Sequence, residues 1–73
     1  MGLDQLQPGQ SAVIDRTLST SPAVNHLLEM GLIDGTPVRL VKKAPLGDPL
    51  QICVRGYHLS LRRSEARLIE VRR

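Results

Sequence analysis

The chain has 73 residues and is 41% apolar, yet Trp and Phe are absent and Tyr57 is its one aromatic residue. That length suits one domain over residues 1–73, whose aliphatic core must be well closed to outweigh the entropy of ordering the chain. Length and composition exclude large enzymes, coiled coils and disulfide scaffolds, the single cysteine, Cys53, suits a reducing compartment, and the net charge is +3.

The order of elements follows from turn and capping residues. Leu3 to Leu6 form a short lead-in, and Pro8-Gly9 is a turn signal. Ser11 to Thr17 is expected to be a first strand centred on Val13 and Ile14. Ser19-Thr20-Ser21-Pro22 reads as a helix start, with Ser21 as N-cap and Pro22 where no N–H is needed. Val24, Leu27 and Leu28 share the apolar face of that helix, Gly31 is its left-handed C-cap, and Leu32 packs back onto its last turn. From Pro37 to Lys43 a second strand puts Val38 and Leu40 on one side and Arg39 on the other, with Val41 and Lys42 continuing the alternation.

Ala44-Pro45-Leu46-Gly47-Asp48-Pro49 is a tight, preorganised loop. Beyond it Leu50, Ile52 and Val54 alternate with polar positions, as do Tyr57, Leu59 and Leu61. A two-residue turn at Arg55-Gly56 sets Val54 against Tyr57, Ile52 against Leu59 and Leu50 against Leu61, turning Tyr57 inward with the rest. A one-residue slip would lose that agreement. Ser64 is expected to cap a single turn through Arg67 before a last strand with Ile69 and Val71. About five short strands with one short helix after the first define a mainly β fold, a small SH3-like barrel.

Charge is distributed unevenly. Residues 1–35 carry Arg16 against Asp4, Asp15, Glu29 and Asp34, a balance of −3; residues 36–73 carry nine Lys and Arg against Asp48, Glu65 and Glu70, a balance of +6. A basic half suits nucleic acid, anionic lipid or an acidic protein surface, and is equally compatible with a plain solvated face. No apolar run is long enough to span a bilayer, and the start Met1-Gly2-Leu3-Asp4 lacks the basic region of a signal peptide, so a cytoplasmic location is expected.

Catalysis finds no support: the sequence has no phosphate loop, no dinucleotide fingerprint and no paired carboxylates beside Asp48. For metals, His26, Glu29 and Met30 stand at helical spacing, but read more simply as a polar face and a core methionine. The hairpin register brings Cys53 opposite His58 on the outward face, two of the four ligands a structural zinc site needs. The remaining ligands would come from a partner, a second copy or water, and a functionless cross-strand pair is the simpler reading. Arg62-Arg63 and Lys42-Lys43 could contact phosphates without sequence preference, yet a single-strand reader also needs stacking aromatics, which are missing. Arg39, Lys42, Lys43, Arg62 and Arg63 are therefore candidate partner-binding residues.

A Pro-Gly pair before the first strand, Leu27-Leu28-Glu29-Met30-Gly31-Leu32, Gly35-Thr36, Ala44-Pro45-Leu46-Gly47-Asp48-Pro49 and Arg55-Gly56-Tyr57 followed by Leu59-Ser60-Leu61-Arg62 stand in this order. Together they resemble the FeoA family, the small ferrous iron transport proteins, from about Leu3 to Val71. Asp34 departs from the proline often found before Gly35, which is expected to loosen that turn slightly. The resemblance implies an SH3-like barrel, a role in bacterial Fe(II) uptake, a transition metal such as Fe(II) as possible ligand, and no catalytic residues. As partner it implies the cytosolic GTP-binding region of the FeoB permease. It also implies likeness to the C-terminal domain of metal-dependent repressors. A chain opening with Met1 and stopping after the last strand is expected to be free-standing. A nonspecific nucleic-acid-binding barrel and a metal-sensing module are the alternatives, and exposed sheet edges make a homo-oligomer plausible.

Overall fold

A computed structural model describes residues 1–18 and 21–73; Ser19 and Thr20, placed above at the start of the helix, lie outside the described residues. Five strands form one antiparallel sheet: β1 (Ser11–Thr17), β2 (Pro37–Lys43), β3 (Leu50–Val54), β4 (Tyr57–Leu61) and β5 (Ile69–Arg72). Their order across the sheet is β4-β3-β2-β1-β5. Helix α1 (Pro22–Glu29) follows β1, a one-turn helix α2 (Arg63–Ala66) follows β4, and a 3-10 turn (Leu3–Gln5) precedes the sheet.

Both hairpin strands pair in the expected register, from Leu50 opposite Leu61 to Val54 opposite Tyr57. Arg55 and Gly56 between them take positive φ values of 50° and 83°, the backbone a two-residue turn needs to match strand twist. Helix α1 starts as expected, with Ser21 Oγ accepting from Val24 N at 3.2 Å and Pro22 in the first turn. It ends in a left-handed Gly31 with φ 108°. Leu32 N donates back to Leu27 O and Gly31 N to Leu28 O, both at 3.1 Å, and Leu32 is buried beneath them. The Asp34 turn also closes, through Thr36 N to Ile33 O at 3.1 Å and Gly35 N to Ile14 O at 2.7 Å.

Two irregularities bend the sheet. The pairing of β1 with β5 shifts between Ile14 and Arg16, and that of β2 with β3 shifts between Leu40 and Lys42. Each sets two residues against one, which bends the strand and increases its twist. Val41 therefore does not continue the alternation: Lys42 pairs with Gln51, and Lys43 pairs with the buried Leu50. Inside the curled sheet lie Ile14, Val38, Leu40, Leu50, Ile52, Val54, Ile69 and Val71.

The lead-in contributes more than its sequence suggests. Leu3 and Leu6 are fully buried in the same core, and their turn packs against α2. Val71 N donates to Met1 O at 2.8 Å and Gly2 bridges Glu70, so the chain start covers the outer edge of β5. Two expectations need correction. Tyr57 sits at the rim of the barrel, 39% exposed, because the core ends at Val54; its hydroxyl donates to Met30 O and ties the hairpin to the end of α1. Ser64 is not a cap: the N-cap lies two residues earlier, at Arg62, with Glu65 Oε1 accepting from Arg62 N at 2.8 Å.

Leu6→Ala should cost about 2–5 kcal/mol, as for other fully buried leucines, which at this chain length is a large share of the total stability. Urea unfolding followed by circular dichroism measures it. A loss below about 0.5 kcal/mol, the range of ordinary surface substitutions, would show that the lead-in is not part of the core.

Candidate functional site

Residues directly opposite in an antiparallel pair point to the same face. Arg39 lies opposite Cys53 and Cys53 opposite His58, while Lys42 lies opposite Gln51 and Gln51 opposite Ser60. The outside of β2, β3 and β4 therefore carries two polar rows. His58 Nδ1 and Gln51 Nε2 are 3.1 Å apart, a diagonal hydrogen bond between the rows.

The structure places Cys53 and His58 on neighbouring strands, as their register requires, with Cys53 half-buried and His58 exposed. Among the described residues no group of three or more His, Cys, Asp or Glu gathers around a point that could hold a metal ion. His26 and Glu29 are both exposed on α1, and Met30 is half-buried at its end. Cys53 and His58 are two ligands, with one imidazole nitrogen already engaged by Gln51; on this chain's residues alone they do not complete a tetrahedral site.

The basic residues divide into different environments. Arg39 and Lys42 are exposed on the outer face of the sheet. Lys43, turned the other way by the bulge, is half-buried and its Nζ donates to Asp4 O at 3.3 Å, tying β2 to the lead-in. Arg62 and Arg63 are exposed at the start of α2. Among the described residues the ion pairs join the Met1 amine to Glu70 and Arg72 to Asp15, so none of these five cations is neutralised by a carboxylate.

Between the two basic groups stands the Ala44–Pro49 loop. Gly47 N donates to Ala44 O at 2.7 Å, closing a turn with Pro45 at its second position, and Ala44 N donates to Pro49 O at 3.0 Å across the base. Asp48 Oδ1 accepts from Arg63 N at 3.0 Å, fastening the loop to α2. A Cβ on Gly47, which has φ 86°, would stand 3.3 Å from the Arg63 guanidinium, so that side chain lies across the loop. Beside the loop is a shallow depression of about 260 Å³ lined by Lys42, Pro45, Pro49, Gln51 and Ser60. A second of about 290 Å³ continues past Pro49 and Ser60 to Arg62. Leu46 stands at the loop's tip with 94% of its surface exposed. Sequence reasoning passed over it, although a leucine bracketed by two prolines and a glycine is a visible signal.

An antiparallel sheet of five short strands curled on an aliphatic core is a small SH3-like barrel. The chain belongs to the FeoA family, whose domain matches residues 1–73. It is 39% identical over 71 residues to an Fe(2+) transport protein A/Fe(2+) transporter FeoB fusion protein of Porphyromonas gingivalis. That match takes in 97% of this chain, which spans only 8% of the length of that curated relative. Among solved structures it is similar to iron(II) transport protein A of Clostridium thermocellum, with a TM-score of 0.93 and 38% identity over 99% of this chain and 44% of that one. FeoA of Stenotrophomonas maltophilia, described as a prokaryotic SH3 domain protein complexed with zinc, gives a TM-score of 0.83 and 36% identity over 97% of this chain and 88% of that one.

The two lysines should separate experimentally. Lys43→Ala, which removes the contact to Asp4 O, should lower stability by about 1 kcal/mol, a fall in Tm of roughly 4–8 °C for a domain this small. Lys42→Ala should stay within about 0.5 kcal/mol of the parent, as surface substitutions do. Equal thermal shifts for both would contradict the placement of Lys43 on the inner rim.

Proposed function

We propose that the chain is an accessory protein of ferrous iron transport that acts by binding the cytosolic GTP-binding region of the FeoB transporter. The fused relative carries this reading: there a segment 39% identical to nearly all of this chain is continuous with a FeoB transporter. Joining two modules in one polypeptide raises their effective concentration to the millimolar range, an arrangement that suits parts which work in contact. The exposed cations Arg39, Lys42, Arg62 and Arg63, with no carboxylate partners among the described residues, favour an acidic surface on the transporter.

Titration of this chain against the purified cytosolic region of its FeoB, at two salt concentrations, tests the reading. Saturable binding is expected near 50 mM salt, weakening about fivefold or more near 500 mM as the exposed charges are screened. Absence of binding at low salt, with GTP, GDP and no nucleotide each supplied, would overturn it.

A further inference from the structure

A leucine held almost wholly in water is unremarkable on a mobile tip, where single exposed apolar side chains are normal. Leu46 is differently placed. Its loop is closed by two backbone hydrogen bonds, fastened to α2 through Asp48 and stiffened by Pro45 and Pro49, so the backbone that carries the side chain is held in place. Pro45, Leu46 and Pro49 are all exposed and form an apolar knob. The nearby carboxylates are turned towards backbone: Asp48 accepts from Arg63 N and Glu65 from Arg62 N. Lys42 on one side and Arg62 on the other are exposed beside the knob, and the exposed Arg63 side chain lies across the loop at Gly47.

Resting on the reading above, we infer that this loop is the docking knob of the chain: Leu46 seats in an apolar pocket of the transporter's cytosolic region, and Lys42, Arg62 and Arg63 meet carboxylates on the pocket's rim. An apolar anchor ringed by charged groups is the arrangement in which a few central residues carry most of an interface's affinity. Preorganisation adds to it, because little loop entropy remains to be lost on binding. A second copy of the chain is the poorer occupant. In a two-fold contact the same patch meets itself, which would set Lys42, Arg62 and Arg63 of the two copies against one another.

The test is binding of the full chain and its Leu46→Ala and Leu46→Asp variants to the transporter's cytosolic region, with Ile33→Ala, an exposed apolar residue elsewhere, as control. Leu46 buries almost nothing within the chain, so both variants should keep the parent's Tm to within a degree or two. Affinity should fall about tenfold or more for Leu46→Ala and further for Leu46→Asp, with Ile33→Ala unchanged. If the parent binds and both Leu46 variants bind equally well, the knob is refuted while the proposed function stands. Failure of the parent itself to bind removes both. Sedimentation completes the test: concentration-dependent self-association of the parent, lost in Leu46→Asp while transporter binding persists, would reassign the knob to contacts between copies.

Discussion

Every other feature of this molecule depends on closing a core that has no large side chain to fill it. Leu, Ile and Val bury less surface each than Phe or Trp, so the sheet has to curl until its own inner face becomes the opposite wall. The shifts of register after Ile14 and after Leu40 provide the bends. What the sheet leaves open is sealed by Leu3 and Leu6 from the lead-in, by Leu27 and Leu32 from the region of α1, and by Ala66 of α2. A small barrel of this kind has its interior fully occupied, which confines function to its outer surface.

The bend at Val41 also determines that surface. Without it Lys43 would follow the alternation onto the outer face with Val41, and the two lysines would still point apart, but Lys42 rather than Lys43 would oppose the core. With it, Lys42 joins Gln51 and Ser60 outside while Lys43 is drawn to Asp4. The same bend delivers the chain into the Ala44–Pro49 loop, where α2 can hold it through Asp48. Packing of the core and presentation of the loop are thus one geometrical event.

The strands and the hairpin register were readable because period-two alternation tolerates no slip: Leu50, Ile52 and Val54 have one arrangement that faces Leu61, Leu59 and Tyr57. Ser21-Pro22 and Gly31-Leu32 identified both ends of α1 by local chemistry alone. What escaped was decided by tertiary contact. Nothing in Leu40-Val41-Lys42 marks a bulge, since Val41 suits a regular strand equally well. Leu3 and Leu6 lack a periodic context, and their burial depends on the barrel end being open above them. Alternation gave the face on which Tyr57 lies but not how far the core extends, so its rim position and its bond to Met30 were hidden. For the candidate site, the opposition of Cys53 and His58 followed from register, whereas the diagonal bond from His58 to Gln51 did not.

The two edges of the sheet show how such a surface can be adhesive at one point only. The edge at β5 is covered by Met1 and Gly2, which take up backbone groups that would otherwise invite another strand. At the other edge β4 presents His58 and Ser60 to solvent, polar side chains that offer no apolar stripe for edge pairing. Against that background Leu46 is the most exposed of the large apolar side chains among the described residues, and it stands between cations that discourage contact with its own kind. As an interface, the knob proposed above, one leucine with a few screened charges, is modest, well below the buried area of a permanent complex. A contact of that strength works when the partner is held nearby, as fusion to the transporter does in the Porphyromonas gingivalis relative. Such a contact also releases readily, which suits the accessory role proposed above.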